Sequence, residues 1–505
     1  MKNIIQKNKK WAVLLSATAM LFLGSCKSDY LDTEPTAAVS ESVAFSSAAG
    51  VMSIINGMHR DLYSRQTNNN NSQGQNGQGG IMIIMDALGE DLVFPSTGNN
   101  WYISTVRWQD QANANSDYAF YPYQLYYALI RNANLVIARA PGVPVGSNEE
   151  ANTIKTAIGE AHAFRAFCYY MLVQIYGKRY VPNTNNSQLG VPIRLIADES
   201  SLARSTVEEV YKQINLDLNE ALVKLANTKR ISKSHFDKQI VQGLIARVAL
   251  TQGNYSLAAA SANSARSEFK LMDNSAYLSG FNNLGNQEWM WGSAIAADQG
   301  DSFSNFGAYM SRNYNSTNIR QAPKAMNTKL YAMFPKTDVR KKVVDSTGKH
   351  LDLALPATYA KFPYTSQKFL SVSTSDSRVD LPLMRAAEMY LIEAEALAKM
   401  NQESASKAVF LQLQKNRDES YKGTVKTGAA YIDEILNSRR IELWGEGFRF
   451  LDLKRLNMNL DRTGANHSST VVNNLFTAPN TDKRWEFLIP LKEINANPLI
   501  VQNPL

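Results

Sequence analysis

Apolar residues recur every third or fourth position between Thr153 and Tyr176, and this period constrains the fold more than any other feature of the chain. The stripe consists of Ile154, Ile158, Ala161, Phe164, Cys168, Met171 and Ile175. Such spacing lines one face of an α-helix that must pack against other helices. Gly177 follows, at a position where helices commonly end. The pattern predicts a buried helix over about 153–176, with Cys168 in the core.

The same period recurs along the chain, which predicts a mainly α fold. A helix is expected after Ser205-Thr206-Val207-Glu208, which we interpret as a capping box. The stretch from Ala246 to Ala258 resembles a tetratricopeptide hairpin, because small residues would let two helices cross closely around the turn Gly253-Asn254-Tyr255. The other predicted helices lie near Ser42–Leu62, Tyr123–Ala140, Gln239–Thr251, Tyr255–Phe269, Glu388–Met400, Ser404–Arg417 and Tyr431–Trp444.

Loop-rich stretches interrupt these helices. Residues 68–80 (NNNNSQGQNGQGG) are of low complexity and predict a flexible loop. Residues 275–383 are rich in Gly, Asn, Ser and aromatics, with strand-like runs at Glu288–Ile295 and Lys368–Val372. Such an interruption is the natural place for a binding surface. The predicted division is a single domain over 41–505, with helical hairpins at about 150–270 and 384–456 and loop-rich parts at about 64–122 and 271–383.

The sequence of the amino terminus predicts the cellular location of the protein. Residues 1–10 carry four lysines, an apolar run from Trp11 to Leu23 follows, and Gly24-Ser25-Cys26 closes it. This is the pattern of a secretory signal over residues 1–25. Leu23-Gly24-Ser25-Cys26 is typical of a bacterial lipobox, in which the Cys is acylated; the alternative is an ordinary signal peptide with an incidental Cys26. We expect residues 26–40 to be a lipidated Cys and tether, anchored to a membrane without spanning it.

Charge and composition exclude several classes of protein. The formal net charge is +8, and it falls to +4 without residues 1–25, which hold four lysines and no acid. No basic stripe carries a nucleic-acid-binding motif, so no nucleic-acid partner is expected. Two cysteines and five histidines without metal-ligand spacing predict neither a disulfide scaffold nor a metal site. No cofactor is predicted.

Catalytic motifs are incomplete. His59-Arg60-Asp61-Leu62 resembles the catalytic loop of protein kinases, but Gln66 replaces the metal-binding Asn and no Asp-Phe-Gly follows, so helix surface is the better interpretation. A glycosidase needs two carboxyl groups facing each other across a bond. The nearby pairs are interpreted as helix-surface acids; they are Asp86 with Glu90 or Asp91, and Glu393 with Glu395. We therefore predict no catalytic residue.

Aromatic residues are concentrated where a ligand surface is expected. Residues 101–127 contain nine, where the chain average of 10% gives about three. Trp101 and Tyr102 follow the turn-rich stretch Pro95–Asn100, so no helical face requires them to be buried. An aromatic ring beside amides can hold a sugar, because the C–H face packs on the ring while polar side chains bond the hydroxyls. Core packing is the alternative for each aromatic. The candidate ligand residues are Asn100, Trp101, Tyr102 and, from the loop Asp298–Ser316, Asp298, Tyr309, Arg312 and Tyr314.

Several motifs in order resemble the SusD/RagB family of Bacteroidetes outer-membrane lipoproteins, nearly from end to end. They are Cys26 with Tyr30-Leu31-Asp32-x-x-Pro35, Gly159-Glu160-Ala161 to Tyr170, Arg204–Tyr211, Asp338-Val339-Arg340, Leu383–Ala396, Arg439–Arg455 and Ile489–Pro504. The most specific is Arg439–Arg455 (RRIELWGEGFRFLDLKR). Arg165, Glu442, Arg449 and Asp452 within these motifs are expected to form ion pairs that fix helix ends.

The resemblance implies a SusD-like fold, mainly α, in which tetratricopeptide-like helical hairpins pack against a loop-rich ligand-binding half with a few short strands. It implies a non-enzymatic, cell-surface-facing lipoprotein of the outer membrane that captures oligosaccharides and delivers them to a SusC-like TonB-dependent transporter barrel. Family ligand loops vary, so no ligand residue carries over by motif. Two alternatives stay open: peptide binding, as in the RagB branch, and glycoside hydrolysis.

Overall fold

Long helices form the frame of the protein in the computed structural model, which describes residues 41–65 and 72–505. The prediction for Cys26 and its tether lies outside the described residues. The α-helices are α1 Glu41–Ala44, α2 Ala48–Asp61, α3 Gly77–Ala87, α4 Ile103–Val106, α5 Asp117–Arg139, α6 Asn148–Tyr176, α7 Val207–Lys224, α8 Lys238–Gln252, α9 Tyr255–Arg266, α10 Asn274–Leu278, α11 Gly307–Met310, α12 Thr317–Gln321, α13 Thr328–Ala332, α14 Ala386–Lys399, α15 Glu403–Arg417, α16 Gly428–Glu442, α17 Arg449–Arg455, α18 Ser469–Val472 and α19 Leu491–Ala496. The strands are β1 Leu92–Val93, β2 Trp289–Ser293, β3 Ala325–Met326, β4 Val344–Asp345, β5 Thr365–Ser366, β6 Leu381–Arg385, β7 Leu460–Asp461 and β8 Thr477–Ala478, and 3₁₀ turns occupy Ala140–Gly142, Val339–Val343 and Lys483–Trp485.

Local capping residues determine where the helices begin and end, and the apolar stripe predicts these positions less well. The helix expected from Thr153 begins earlier, as α6 at Asn148, because the Ser147 hydroxyl accepts the amide of Glu150 at 3.2 Å. Its end before Gly177 and the burial of Cys168 are as predicted.

The capping box of α7 lies one residue later than predicted. It joins Thr206 to Glu209, whereas Ser205 and Glu208 were expected. Both Ser205 and Thr206 pair with an earlier segment of the chain. The amide of Ser205 donates to Val191 at 3.2 Å and its carbonyl accepts the amide of Gly190 at 2.7 Å. The pairing with the earlier segment continues into the first turn of α7, where the amide of Val207 donates to Gln188 at 2.8 Å.

Consecutive helices pack against each other in pairs, which is the arrangement expected of tetratricopeptide-like hairpins. Among consecutive helices, the most extensive packing joins α6 with α7, α8 with α9, α5 with α6, and α14 with α15. Gly253 adopts a φ of +73° in the turn between α8 and α9, and the Asn254 side chain caps α9. Ala246 and Ala258 are fully buried, and such small residues permit close crossing. α9 also packs on α14, which connects the early helices with the late ones.

The prediction of a flexible loop over residues 68–80 is wrong for its described part, residues 72–80. Gln75 and Asn76 are buried and α3 begins at Gly77, with every residue of this helix buried. Glycine is needed here for close approach, because a Cβ on Gly77 would lie 2.3 Å from the backbone of Leu62. The Gln78 side chain accepts the hydroxyl of Tyr126 at 2.8 Å. A stretch whose composition is usual in loops therefore leads into and begins α3, a central and tightly packed helix.

Short strands organise the loop-rich half. β2 pairs antiparallel with β6, and β1, β3, β5 and β4 form a four-stranded sheet in that order. The run predicted at Glu288–Ile295 contains β2, but Lys368–Val372 is not a strand. Its backbone groups bond to two separate segments, since the Phe369 carbonyl accepts from Arg312 and the Leu370 amide donates to Gly280.

A balanced network of buried charges joins the two halves. The cations are Arg340, Lys368, Arg385 and Arg417, and the anions are Glu288, Asp338, Glu442 and Glu446. Glu442 on α16 lies at its centre and accepts from Arg385 at 2.9 Å, Arg417 at 3.1 Å and Arg340 at 3.2 Å. Burial alone would raise the pKa of Glu442, but these arginines hold it well below its usual range.

The other ion pairs expected within the motifs are also present; most connect different elements of the fold, and one lies within α17. The pairs are Arg165 with Asp217, Arg449 with Glu90, and Asp452 with Arg439 and Arg455. Such pairs specify geometry more than they stabilise.

His467 makes the stability of this fold dependent on pH. Burial, with the nearby charge of Arg462, lowers the pKa of His467 to about 4. The unfolded chain binds the proton near pH 6.5, so this contribution is complete above pH 6.5 and is lost as the pH falls toward 4. Between pH 4 and pH 6.5 the unfolding free energy rises with pH. We expect this rise to be smaller in His467→Gln than in the unchanged protein, by up to about 3 kcal/mol. Urea unfolding at several pH values tests this, and equal slopes for both proteins would refute it.

Candidate functional site

Trp101 lies on a loop whose backbone is held in an unusual conformation. Gly98, Asn100 and Tyr102 have φ values of +49°, +69° and +62°. A left-handed Tyr is costly and persists only where its surroundings impose it, which is a common property of functional sites. The Ser96 hydroxyl donates to the carbonyl of Gln321 at 2.7 Å and fixes the loop against α12.

Trp101 rests on a base of buried tyrosines. Its ring meets that of Tyr309 edge to face at 5.6 Å, and Tyr309 meets Tyr102 edge to face at 5.3 Å. Trp101 is partly exposed, whereas Tyr102 and Tyr309 are buried. The Tyr102 hydroxyl donates to the carbonyl of Gly74 at 2.9 Å. The expectation that Tyr102 stays accessible is therefore wrong, because its hydroxyl finds a partner in the segment that leads into α3.

Charged groups lie near Tyr309. Arg65 and Asp301 form an ion pair at 3.1 Å with side chains 25% and 37% exposed. Burial raises the pKa of Tyr309, with smaller effects of Asp301 and Arg65, so both charges are near this ring. Asp301 lies within the predicted loop 298–316, but no sequence signal pointed to Arg65. Trp101 thus offers a partly exposed aromatic face, with the exposed Asn100 next to it in sequence and this ion pair near the Tyr309 that supports it.

The remaining predicted residues lie apart from Trp101. Asp298 is exposed, and Arg312 is buried with its guanidinium donating to the carbonyl of Ala360 at 2.8 Å. Tyr314 is buried beside the exposed ring of Phe303. Within residues 41–65 and 72–505, no hydrogen bond or ring contact joins these three predicted residues to Trp101. The structure thus brings together Asn100, Trp101, Tyr102 and Tyr309.

One cluster has ligand types suited to a metal, although its sequence spacing showed none. His59, Glu160 and His235 lie together and are buried, so His59 is not helix surface as predicted. His59 Nε2 and His235 Nδ1 contact the two carboxylate oxygens at 2.7 and 2.8 Å, and the amide of Phe236 also donates to Glu160. Despite burial, these hydrogen bonds lower the pKa of Glu160 to about 2. They account for the geometry as a structural cluster.

The carboxylates predicted on helix surfaces are instead buried; Asp86 accepts the backbone amides of Gly447 and Arg449, and the others are engaged with arginine side chains. Asp91 contacts Arg440 at 2.6 Å, and Glu393 and Glu395 contact Arg266 and Arg455 at 2.7 and 2.6 Å. The error arose because the arginines are distant in sequence. Acids held in this way fix the fold and are poorly placed to attack or protonate a sugar.

Comparison with known proteins identifies the family. A profile described as "Starch-binding associating with outer membrane" matches residues 29–250, and one described as "SusD family" matches residues 285–505. The chain belongs to the SusD/RagB family. SusD-like protein P2 of Formosa agariphila is 24% identical over 422 residues, covering 76% of this chain and 78% of that protein.

Solved SusD-like structures share this fold. A SusD superfamily protein of Bacteroides thetaiotaomicron superposes with a TM-score of 0.78 at 23% identity, covering 91% of this chain and all of that one. A SusD-like carbohydrate binding protein of Bacteroides vulgatus gives 0.77 at 23% identity, covering 90% and 97%. A laminarin binding SusD-like protein gives 0.68 at 20% identity, covering 90% and 99%. The mainly α, SusD-like fold predicted from the sequence is confirmed.

Family membership also confirms the general function. SusD-like proteins are carbohydrate-binding proteins and not enzymes, so the prediction of a binder without catalysis is confirmed. The first family description associates such proteins with the outer membrane. Among the helices of the described residues, none combines the length and apolar content needed to cross a membrane.

Proposed function

We propose that this SusD-like protein captures oligosaccharides at the cell surface and binds them on the exposed side of Trp101. The observation that carries the proposal is the partly exposed Trp101 ring, which rests on buried Tyr309 in a loop of three positive φ angles. A rigid aromatic face loses little entropy when a sugar packs on it.

The neighbouring polar groups would orient the sugar. Asn100 precedes Trp101 and is exposed, and the Arg65–Asp301 pair lies near Tyr309. Amide, carboxylate and guanidinium groups supply both donors and acceptors for hydroxyls. Tyr309 supports the Trp101 ring from beneath and is itself in contact with Tyr102.

A glycan array tests this function. The protein without residues 1–26 should bind a defined group of oligosaccharides, and starch-type and laminarin-type glucans belong in the panel because of the family description and the laminarin-binding neighbour. Incubation with the bound glycan should release no new reducing ends. Absence of binding to every glycan, or turnover lost on changing one carboxylate, would contradict the proposal.

We further propose that Cys26 carries the lipid anchor and that the captured glycan passes to a SusC-like TonB-dependent barrel. The lipobox Leu23-Gly24-Ser25-Cys26 supports the anchor, and family membership supports the partner. A protein held on the outer leaflet needs such a barrel to move cargo inward. The partner should be recovered with the protein by detergent pull-down.

Cys26→Ala should release the protein from the membrane fraction. The reason is that several acyl chains on one Cys provide lasting attachment, at about 0.8 kcal/mol per buried CH₂. Membrane fractionation with fatty-acid labelling measures both attachment and acylation. Ser25→Ala, which keeps a small residue before the Cys, is the matched control and should stay anchored. A labelled, membrane-bound Cys26→Ala protein would show that the lipobox interpretation is wrong.

A further inference from the structure

In the described part of the chain, the buried Glu160 forms its ion pairs with two histidines, His59 and His235, and with no lysine or arginine. Burial would raise the pKa of Glu160, but hydrogen bonds from the two histidines lower it to about 2, so the carboxylate is ionised at neutral pH. Burial lowers the pKa of His59, so this ring is uncharged at pH 7. Arg230 is nearby but pairs with Asp237 at 2.9 Å. A buried carboxylate is usually balanced by a full cation or by a metal ion.

Three separate elements bring the side chains of this cluster together. His59 lies in the last turn of α2, Glu160 lies within α6, and His235 lies just before α8. One nitrogen of each histidine and one carboxylate oxygen all lie within 4.8 Å of one another. Two imidazoles and one carboxylate are a known set of protein ligands for a zinc ion that keeps a fourth position open.

The spacing of these atoms is close to that of a tetrahedral zinc site. Ligand atoms at about 2.0–2.2 Å from zinc lie about 3.3 Å from each other. His59 Nε2 and His235 Nδ1 lie 2.7 and 2.8 Å from the carboxylate oxygens of Glu160. A shift of about 0.5 Å in each pair makes room for a metal ion in place of the bridging protons. The amide of Phe236 donates to the same carboxylate at 3.1 Å, and such bonds orient metal-ligating carboxylates.

An open groove of about 600 Å³ leads to the cluster. It lies between α6 and the segment that precedes α8, and both Glu160 and His235 line it. His59 does not line the groove and packs instead against Phe164 and Phe236, with ring centroids 4.6 and 5.4 Å away. An ion can therefore enter from the groove and meet a site that aromatic rings shield around His59.

We propose that His59, Glu160 and His235 form a zinc site whose fourth position opens into this groove, where a water molecule completes the coordination. The ion supplies the positive charge that Glu160 needs and links α2, α6 and the turn before α8. Imidazole ligands favour Zn²⁺ over Ca²⁺ or Mg²⁺, which prefer all-oxygen sites. The site shares no residue with the proposed glycan surface at Trp101, so failure of one proposal leaves the other standing.

Zinc titration of the full-length, untagged protein in detergent tests the site. After metals are removed with EDTA and dialysis, calorimetry with zinc sulfate at pH 7 gives stoichiometry and affinity. His59→Gln and His235→Asn place amide nitrogens where Nε2 and Nδ1 were, which keeps the hydrogen bonds to Glu160 but provides no lone pair for a metal. His162→Asn is the matched control, because His162 lies on α6 and its Nδ1 contacts the carboxylate of Asp217 at 2.8 Å. Co²⁺ is the second probe, since its visible absorption is much stronger in tetrahedral than in octahedral coordination.

We expect the unchanged protein and His162→Asn to bind about one zinc ion per chain and to give the strong tetrahedral cobalt spectrum. Changing a residue that only orients a ligand costs about 10–100-fold in metal affinity, so His59→Gln and His235→Asn should lose at least about hundredfold. Zinc should raise the Tm of the unchanged protein and of His162→Asn, but not of these two variants.

Two results would overturn the zinc site. One is equal zinc affinity in His59→Gln, His235→Asn and His162→Asn. The other is the absence of stoichiometric zinc, or a weak octahedral cobalt spectrum, in the unchanged protein, and this result decides the question even where a variant does not fold.

Discussion

Glu442→Gln should destabilise the protein by about 3–5 kcal/mol, or prevent it from folding. Glu442 is buried and accepts hydrogen bonds from Arg385, Arg417 and Arg340. An amide keeps the shape but removes the negative charge, so four buried cations face three anions. The cost of the unbalanced charge exceeds the cost of any single hydrogen bond.

Asp433→Asn is the matched control, because Asp433 lies exposed on the same helix, α16, and loses the same charge. Its effect on unfolding free energy should stay within about 0.5 kcal/mol. Chemical unfolding of the three proteins at pH 7 makes the measurement. Equal stability of Glu442→Gln and Asp433→Asn would show that the network does not hold the two halves together.

Trp101→Ala should weaken glycan binding by about thirtyfold, which corresponds to about 2 kcal/mol, with little loss of stability. Trp101 is partly exposed, so truncation removes the sugar-binding face and only the edge contact with Tyr309 from the fold. Trp101→Phe retains an aromatic face and should keep an intermediate affinity. Calorimetric titration and thermal melts of each variant separate binding from stability.

Trp108→Ala provides the opposite control. Trp108 lies seven residues away but is fully buried, and its indole donates to the carbonyl of Leu88 at 2.9 Å. Its loss should cost about 3–5 kcal/mol of stability and affect binding only through unfolding. If Trp101→Ala behaves like Trp108→Ala, Trp101 is a packing residue and the ligand surface lies elsewhere.

The sequence predicted the helices well because their apolar stripes are local. The period from Ile154 to Ile175 identifies α6 without knowledge of its partners. Residues 72–80 were misjudged because their burial depends on Leu62 and Tyr126, and a Gly- and Gln-rich stretch has no apolar stripe of its own. Tertiary contacts decide such segments.

Buried charges were misassigned to surfaces for a related reason. His59 meets Glu160, 101 residues later, and Glu395 meets Arg455, 60 residues later. No local pattern shows that such groups will be paired and therefore can be buried.

The candidate site was only partly predictable. The turn-rich stretch before Trp101 indicated an accessible ring, whereas burial of the adjacent Tyr102 follows from a left-handed backbone and a hydroxyl partner in Gly74. The side chain of Arg65 joins the site through Asp301, across the fold. Such convergence of distant segments has no sequence signal in a single chain.

We expect this SusD-like protein to bind carbohydrate, and neither to bind peptide nor to hydrolyse sugar. The most direct measurement is calorimetric titration of the soluble protein with its best array oligosaccharide and, separately, with a peptide mixture of similar size, followed by chromatography of the recovered ligand. We expect saturable binding of the oligosaccharide, which should be recovered intact, and no heat from the peptides. Saturable binding of peptides alone, or shortened oligosaccharide in the recovered sample, would contradict it.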